Sequence, residues 1–253
     1  MNDSRLIQLY NKISKHSNYQ VLASPLRKHI PAENLETRSR FEQERLDYVL
    51  GKVPHQDCTL SDIGGNTGFF SFEFIVQGAR SVTFIEGNKE HSVFVQEAAA
   101  VLGWQEKFSV ENRYMTFRDD LSTLDVDICL LLNVLHHVGD DYGDPSQPIE
   151  SAKQNILNSL AALAKHTKYL VFQMGFNWKG DIQLPLFANG TKRELIDFVR
   201  EGTEDNWVIR NIGIAESAGD NIIYNELDSK NIERQDSLGE FLNRPIFIME
   251  SKL

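Results

Sequence analysis

The stretch TLSDIGGNTGFFSFEF, residues 59–74, sets two adjacent glycines, an asparagine and a third glycine between an apolar run and a phenylalanine-rich one. A glycine-rich turn between a strand and a helix lets the backbone approach a ligand closely while helix N–H groups point at it, and phosphate groups are the commonest occupants. A phosphate-binding P-loop is excluded because no Gly-Lys-Ser/Thr follows. The dinucleotide fingerprint Gly-x-Gly-x-x-Gly also fails. Counted from Gly64, its second and third glycines fall on Asn66 and Phe69, and a phenylalanine is too large where helix must press on strand. The remaining nucleotide template is acidic-x-Gly-x-Gly-x-Gly, matched by Asp62, Gly64 and Gly68 with Asn66 in the middle place. Asparagine is the substitution physics permits best there, because it tolerates positive φ better than other residues bearing a β-carbon. A purely structural turn is the competing reading of this loop alone.

The second strand lifts the loop above that alternative. SVTFIEGN places Glu86 at the strand end, at about the spacing at which a doubly wound nucleotide-binding fold sets an acid against ribose hydroxyls. One carboxylate accepts both vicinal O–H donors. Its other use, favouring the positive end of the following helix, is compatible with the first. Asn88, just beyond, reads as the N-cap of that helix.

From about residue 57 the chain alternates short apolar strands with helices: strands at 58–63, 81–86, 107–111, 127–133 and 168–174, helices at 68–77, 90–102 and 147–165. Such alternation implies right-handed crossovers and an α/β, Rossmann-like, doubly wound and mainly parallel sheet with helices on both faces. WVIRNIGIA (207–215) and PIFIMES (245–251) add two strands without a long helix between them, giving a seven-stranded sheet whose last strand is antiparallel. Residues 34–50 read as an amphipathic helix stopped by Gly51, within an N-terminal helical extension spanning 1–56. No repeat, linker or low-complexity tract breaks the remainder, so residues 57–253 are expected to form one domain.

Composition narrows the classes. With 253 residues, 41% of them hydrophobic, and 7 prolines, the chain can bury a sizeable core. It has no h-region at its start and no run of about 18 uncharged apolar residues, so neither secretion nor a membrane span is expected. Two distant cysteines, Cys58 and Cys129, make no metal knuckle and suit a reduced, cytoplasmic setting. The net charge of -10 repels phosphate backbones, and the nearest basic patch, Arg27, Lys28 and His29, is thin. A nucleic-acid partner is disfavoured.

Together DIGGNTG, FIEGN and DICLLLNVLHHV resemble, in order, the motifs of class I S-adenosylmethionine-dependent methyltransferases over residues 57 to about 175. The resemblance implies S-adenosyl-L-methionine as cofactor. It further implies that Asp62, Gly64, Gly65, Asn66, Gly68 and Phe69 hold the methionine portion, that Glu86 and Gly87 meet the ribose, and that Asn133 after the fourth strand lines the methyl-transfer channel. Asn112 is the adenine-side candidate, although ENRYMTF departs from the family pattern there.

Methyl transfer is in-line displacement at a sulfonium, so the enzyme supplies alignment and, for an alcohol acceptor, a base. A histidine oriented by a carboxylate fits that need. His137 is the expected base, with Asp140 or Asp141 as its orienter and His136 as the alternative; a packing histidine over a capped turn in VGDDYGD is the structural reading. A magnesium-dependent variant would recruit the same aspartates, but spacing supplies no third oxygen ligand, so no metal is expected. The segment QMGFNWKGDIQLPLFANGTKREL follows, in an insertion at about 175–206 expected to act as an acceptor-binding lid. Phe176, Asn177, Trp178 and Lys179 mix flat faces with polar groups as a sugar ring requires, whereas a hydrophobic cover over the sheet would use the same aromatics. Thr191 and Glu194 in TKRE form a capping box that starts a helix near residue 192.

GDDYG, FQMGFNWKG and EFLNRPIFIMES further resemble methyltransferases of bacterial surface-polysaccharide pathways, which implies a sugar hydroxyl or glycan phosphate as acceptor. A tRNA base or another small molecule is the alternative target. A non-catalytic adenosyl-binding scaffold is the alternative from another class. Oligomeric state is not legible.

Overall fold

The computed structural model describes residues 3–11, 19–31, 35, 37, 39–117, 121–140 and 142–253. They divide into two compact units, one of residues 1–46 with 54–115 and one of residues 47–53 with 116–253.

The first unit opens with α1 (Asp3–Tyr10) and the start of α2 (Glu42–Leu50) and continues with β1 (Thr59–Ile63), α3 (Phe69–Val76), β2 (Ser81–Ile85), α4 (Lys89–Val101) and β3 (Phe108–Glu111). Its strands lie in the order β3-β2-β1, all parallel, with Ile63 opposite Ile85 and Ile85 opposite Glu111. Short apolar strands with helices between them leave no other pairing that returns the chain in the same direction. Residues 34, 36 and 38 of the expected 34–50 helix lie outside the described residues, and α2 itself begins only at Glu42. Phe41 sits at φ 57°, outside helical geometry, and the Glu42 carboxylate accepts from the Arg40 N–H and the Ser39 hydroxyl. The helix therefore starts where its local cap closes. Tyr10 of α1 packs edge-on against Phe94 of α4, with ring centroids 5.4 Å apart.

The second unit carries β4 (Val126–Leu132), α5 (Ile149–Leu163), β5 (Thr167–Gln173), α6 (Lys192–Thr203), β6 (Trp207–Ala218), β7 (Asn221–Glu226), α7 (Gly239–Leu242) and β8 (Ile246–Ser251). Strand order is β4-β5-β8-β6-β7, with β4 and β5 parallel and β8 antiparallel to both neighbours. The near-continuous apolar run of β4 and the burial of Ile246–Met249 in β8 are what a strand covered on both faces demands. Among the described residues there are thus eight strands rather than seven. The additional one, β7, forms an antiparallel hairpin with β6. Its NIIYNE sequence escapes a hydrophobicity reading because four of its six residues are exposed and only Ile222 and Tyr224 are partly covered. The architecture is α/β and Rossmann-like. Among the described residues no helix is long and apolar enough to cross a membrane.

α6 begins with the expected capping box: the Thr191 hydroxyl accepts from Glu194 N at 3.2 Å, and the Glu194 carboxylate accepts from Thr191 N at 3.0 Å. Lys192, in the same turn, is fully buried. Its ammonium donates to the carbonyls of Asn231 and Glu233, both at 2.9 Å, which ties the loop after β7 to α6.

Candidate active site

The glycine loop of the first unit is built as its sequence requires. Gly64 (φ 69°), Asn66 (φ 57°) and Gly68 (φ 78°) all occupy the left-handed region, so Asn66 takes the conformation that glycine holds in the template. Gly65 is glycine for a different reason. A β-carbon there would lie 2.3 Å from the Phe84 ring and 2.8 Å from the Asp62 carboxylate.

Asp62 sits beneath the loop, buried, and accepts a 2.7 Å hydrogen bond from the Ser71 hydroxyl. Burial pushes its carboxyl up to about 7; the nearby Glu86 charge adds to the rise, and the hydrogen bonds from Ser71 oppose it. Glu86 bridges two backbones: Oε2 accepts from Asn66 N and Oε1 from Asn88 N, each at 2.8 Å. Asn88 caps α4 as expected, accepting from the N–H groups of Glu90 and His91. Phe69, the first residue of α3, is buried, and its N–H donates to the side-chain oxygen of Gln20 at 3.2 Å. Thr67 donates to the same oxygen. Gln20 carries no local sequence signal, because it reaches the loop only through the fold. Asn112 turns its amide toward the strand ends, donating to the carbonyls of Glu86 (2.8 Å) and Gly87 (3.1 Å).

In the second unit Asn133 follows β4 at φ 64° and donates to the Gln173 side-chain oxygen at 2.9 Å. Its own oxygen accepts from Arg244 at 2.7 Å. A 3-10 turn then carries Leu135–His137 and stacks the two imidazoles with ring centroids 4.3 Å apart. His136 is buried, and its Nδ1 accepts from Gly175 N at 3.2 Å. Burial holds it well below the usual imidazole range, and the Arg244 and His137 charges add to that. It is therefore neutral at physiological pH. His137 is partly exposed, with Nδ1 3.8 Å from the Asp140 carboxylate, an ion-pair distance longer than a hydrogen bond. Asp141 lies outside the described residues.

The aromatics of the insertion face inward. Phe176 is 2% exposed and Trp178 is 5% exposed, and the indole N–H of Trp178 donates to Val138 O at 2.5 Å. Asn177 and Lys179 are partly exposed, with the Lys179 ammonium 4.2 Å from the Trp178 ring and donating to Pro145 O. Two residues of this neighbourhood were not singled out from sequence. Glu240 and Arg244, four apart in EFLNR, form an ion pair in which Arg244 Nε and Nη2 meet the carboxylate, while Glu240 also accepts from Phe176 N at 3.3 Å. Their four-residue spacing before the last strand was the available signal. Among the described residues no three His, Cys, Asp or Glu side chains group as a metal site.

No protein-family model and no curated protein sequence matches the chain. Solved structures do resemble it. The bifunctional kinase-methyltransferase WbdD aligns at 14% identity and a TM-score of 0.56, over 97% of this chain and 46% of that one. A separate structure of WbdD gives the same values. A candidate RNA methyltransferase of Pyrococcus horikoshii aligns at 13% identity over 98% of this chain and 96% of its own, with a TM-score of 0.47. The chain spans about half the length of WbdD. At these identities the likeness is one of fold alone.

Proposed function

We propose that this protein is an S-adenosylmethionine-dependent methyltransferase that modifies a sugar hydroxyl or a glycan phosphate. The observation that carries this reading is Glu86. Its carboxylate is fixed at the mouth of a glycine loop by the backbone N–H groups of Asn66 and Asn88, at the strand end from which an acid meets a vicinal diol. The left-handed Gly64, Asn66 and Gly68 suit a close backbone approach to the amino-acid part of the cofactor, and Gly65 lets the loop close over Phe84 and Asp62.

In this reading residues 57–253 form the transferase domain, residues 1–56 are an N-terminal helical extension, and about 175–206 face the acceptor. The bound cofactor supplies an electrophilic methyl group on a sulfonium. His137 takes the proton of a hydroxyl acceptor, with Asp140 favouring the imidazolium that forms. His136 holds the Gly175–Phe176 backbone and takes no proton, since its Nδ1 is committed to Gly175 N. Asn133 is fixed by Gln173 and Arg244 to line the channel. Asn177 and Lys179, the partly exposed polar members of the insertion, are the acceptor contacts. The fold shared with WbdD, a protein named a kinase-methyltransferase, agrees with this chemistry.

Transfer of labelled methyl from S-adenosylmethionine to neutral oligosaccharides, phosphorylated oligosaccharides and tRNA tests the reading. A glycan should be labelled. On a neutral hydroxyl, His137→Ala and Asp140→Asn should lower turnover, the former by roughly 10²–10⁴-fold, with cofactor affinity nearly intact. A phosphate oxygen is already anionic and should tolerate both changes. Labelling of tRNA alone would refute the glycan assignment, and cofactor binding without transfer to any acceptor would favour a scaffold.

A further inference from the structure

The helix that follows the glycine loop has no cap of its own. α3 starts after Gly68, which has no side chain to offer, so the first N–H groups of the helix need acceptors from elsewhere. Three other amides of the loop are committed nearby: Gly64 N donates to Ile85 O at 2.7 Å, Asn66 N to Glu86, and Gly68 N to Gly65 O at 2.9 Å. Phe69 N is met from 49 positions away. The Gln20 side-chain oxygen accepts from Phe69 N and from the Thr67 hydroxyl, both at 3.2 Å. A backbone N–H can only donate, so this contact fixes the carboxamide with its oxygen toward the loop. Thr67 and Phe69 are both buried, where water does not readily replace a lost acceptor.

Gln20 is itself held in place. Its carbonyl accepts from the Tyr10 hydroxyl at 2.6 Å, and Tyr10 packs on Phe94 of α4. Downstream, Ser24 N and Oγ both donate to the Glu73 carboxylate of α3, and Leu22, Ala23, Leu26 and Ile30 are buried. Residues 20–30 are thus fastened to the same helix whose first N–H Gln20 caps.

We infer that Gln20 is a positioning residue of the nucleoside site: its carboxamide holds the Thr67–Phe69 end of the glycine loop in the shape that receives the ligand, so that ligand occupancy and the docking of residues 20–30 favour one another. This rests on the reading of the glycine loop as the cofactor site. Linkage makes the effect reciprocal. It makes the N-terminal segment a working part of the site.

Calorimetric titration with S-adenosylhomocysteine, together with amide hydrogen exchange, tests this role. Gln20→Met keeps the length of the side chain and removes the acceptor; it should weaken S-adenosylhomocysteine by roughly 5- to 150-fold, the usual range of coupling between linked sites, and speed exchange of the Phe69 amide. Thr67→Val removes one of the two bonds and should weaken binding by a smaller factor. Gln20→Glu restores an acceptor at a helix N-terminus, where negative charge is favoured, and should return the Phe69 amide to wild-type exchange. Ser24→Ala loosens the segment without touching the loop and should leave affinity within about threefold, whatever it does to the melting temperature. In the wild type the ligand should slow exchange across residues 20–30, and in Gln20→Met it should not. Wild-type binding with unaffected Gln20→Met and Thr67→Val, or equal losses in Gln20→Met and Ser24→Ala, would overturn the positioning role alone. A wild type that does not bind S-adenosylhomocysteine would overturn the cofactor reading and this role with it.

Discussion

At the scale of single residues, Asp62 and Asn66 show two ways a loop sequence encodes its shape. Asn66 was legible because φ 57° is a backbone demand that few residue types meet. The surroundings of Asp62 were not legible, because its burial and its bond to Ser71 depend on α3 folding back over the strand end. That burial has a pH signature. The folded carboxyl, raised to about 7, binds its proton more tightly than the unfolded one near 4. Stability from this group is thus full below about pH 4 and is lost as pH rises through about 7. Asp62→Asn keeps a neutral side chain and does not titrate. The melting temperature of the wild type should therefore fall relative to Asp62→Asn between about pH 4.5 and 7.5. A constant difference across that range would show that Asp62 is ionised throughout.

Among elements, long apolar strands and capped helices were readable, and pieces defined by tertiary contacts were not. Strands β4 and β5 declare themselves by continuous apolar runs, and α6 by Thr191 and Glu194. The hairpin strand β7 lacks any such run, and α7 has only four residues, too few for a periodicity. The importance of α7 comes from one side chain. Glu240 neutralises Arg244, whose side chain is 11% exposed, and fastens Phe176 N, so a short turn before the last strand holds the segment after β5. Glu240→Gln should leave that guanidinium poorly compensated and lower stability by about 1–3 kcal/mol, read as a shift in the denaturation midpoint at unchanged slope. An unchanged midpoint would mean that solvent replaces Glu240 freely.

For the molecule as a whole, the Rossmann-like class and the left-handed glycine loop were visible in the sequence because strand–helix alternation and a glycine-rich turn are local patterns. The strand count was missed by one, and Gln20, Glu240 and Arg244 were missed because their partners lie far away in the chain. The net charge of -10 also acts at this scale: it opposes any extended phosphate backbone while leaving a small or neutral acceptor unaffected. Cofactor binding is the property from which the rest of the account follows. A ligand bound only by the folded state stabilises it by about 2.7 kcal/mol at a concentration one hundred times its dissociation constant. The direct measurement is titration of the wild-type protein and Glu86→Ala with S-adenosylhomocysteine, followed by calorimetry and by melting temperature. One saturable site per chain with a ligand-dependent rise in melting temperature is predicted, weakened in Glu86→Ala by about 1.5–3 kcal/mol, the worth of hydrogen bonds to a charged group. Absence of both heat and thermal shift in the wild type at millimolar ligand would contradict the account.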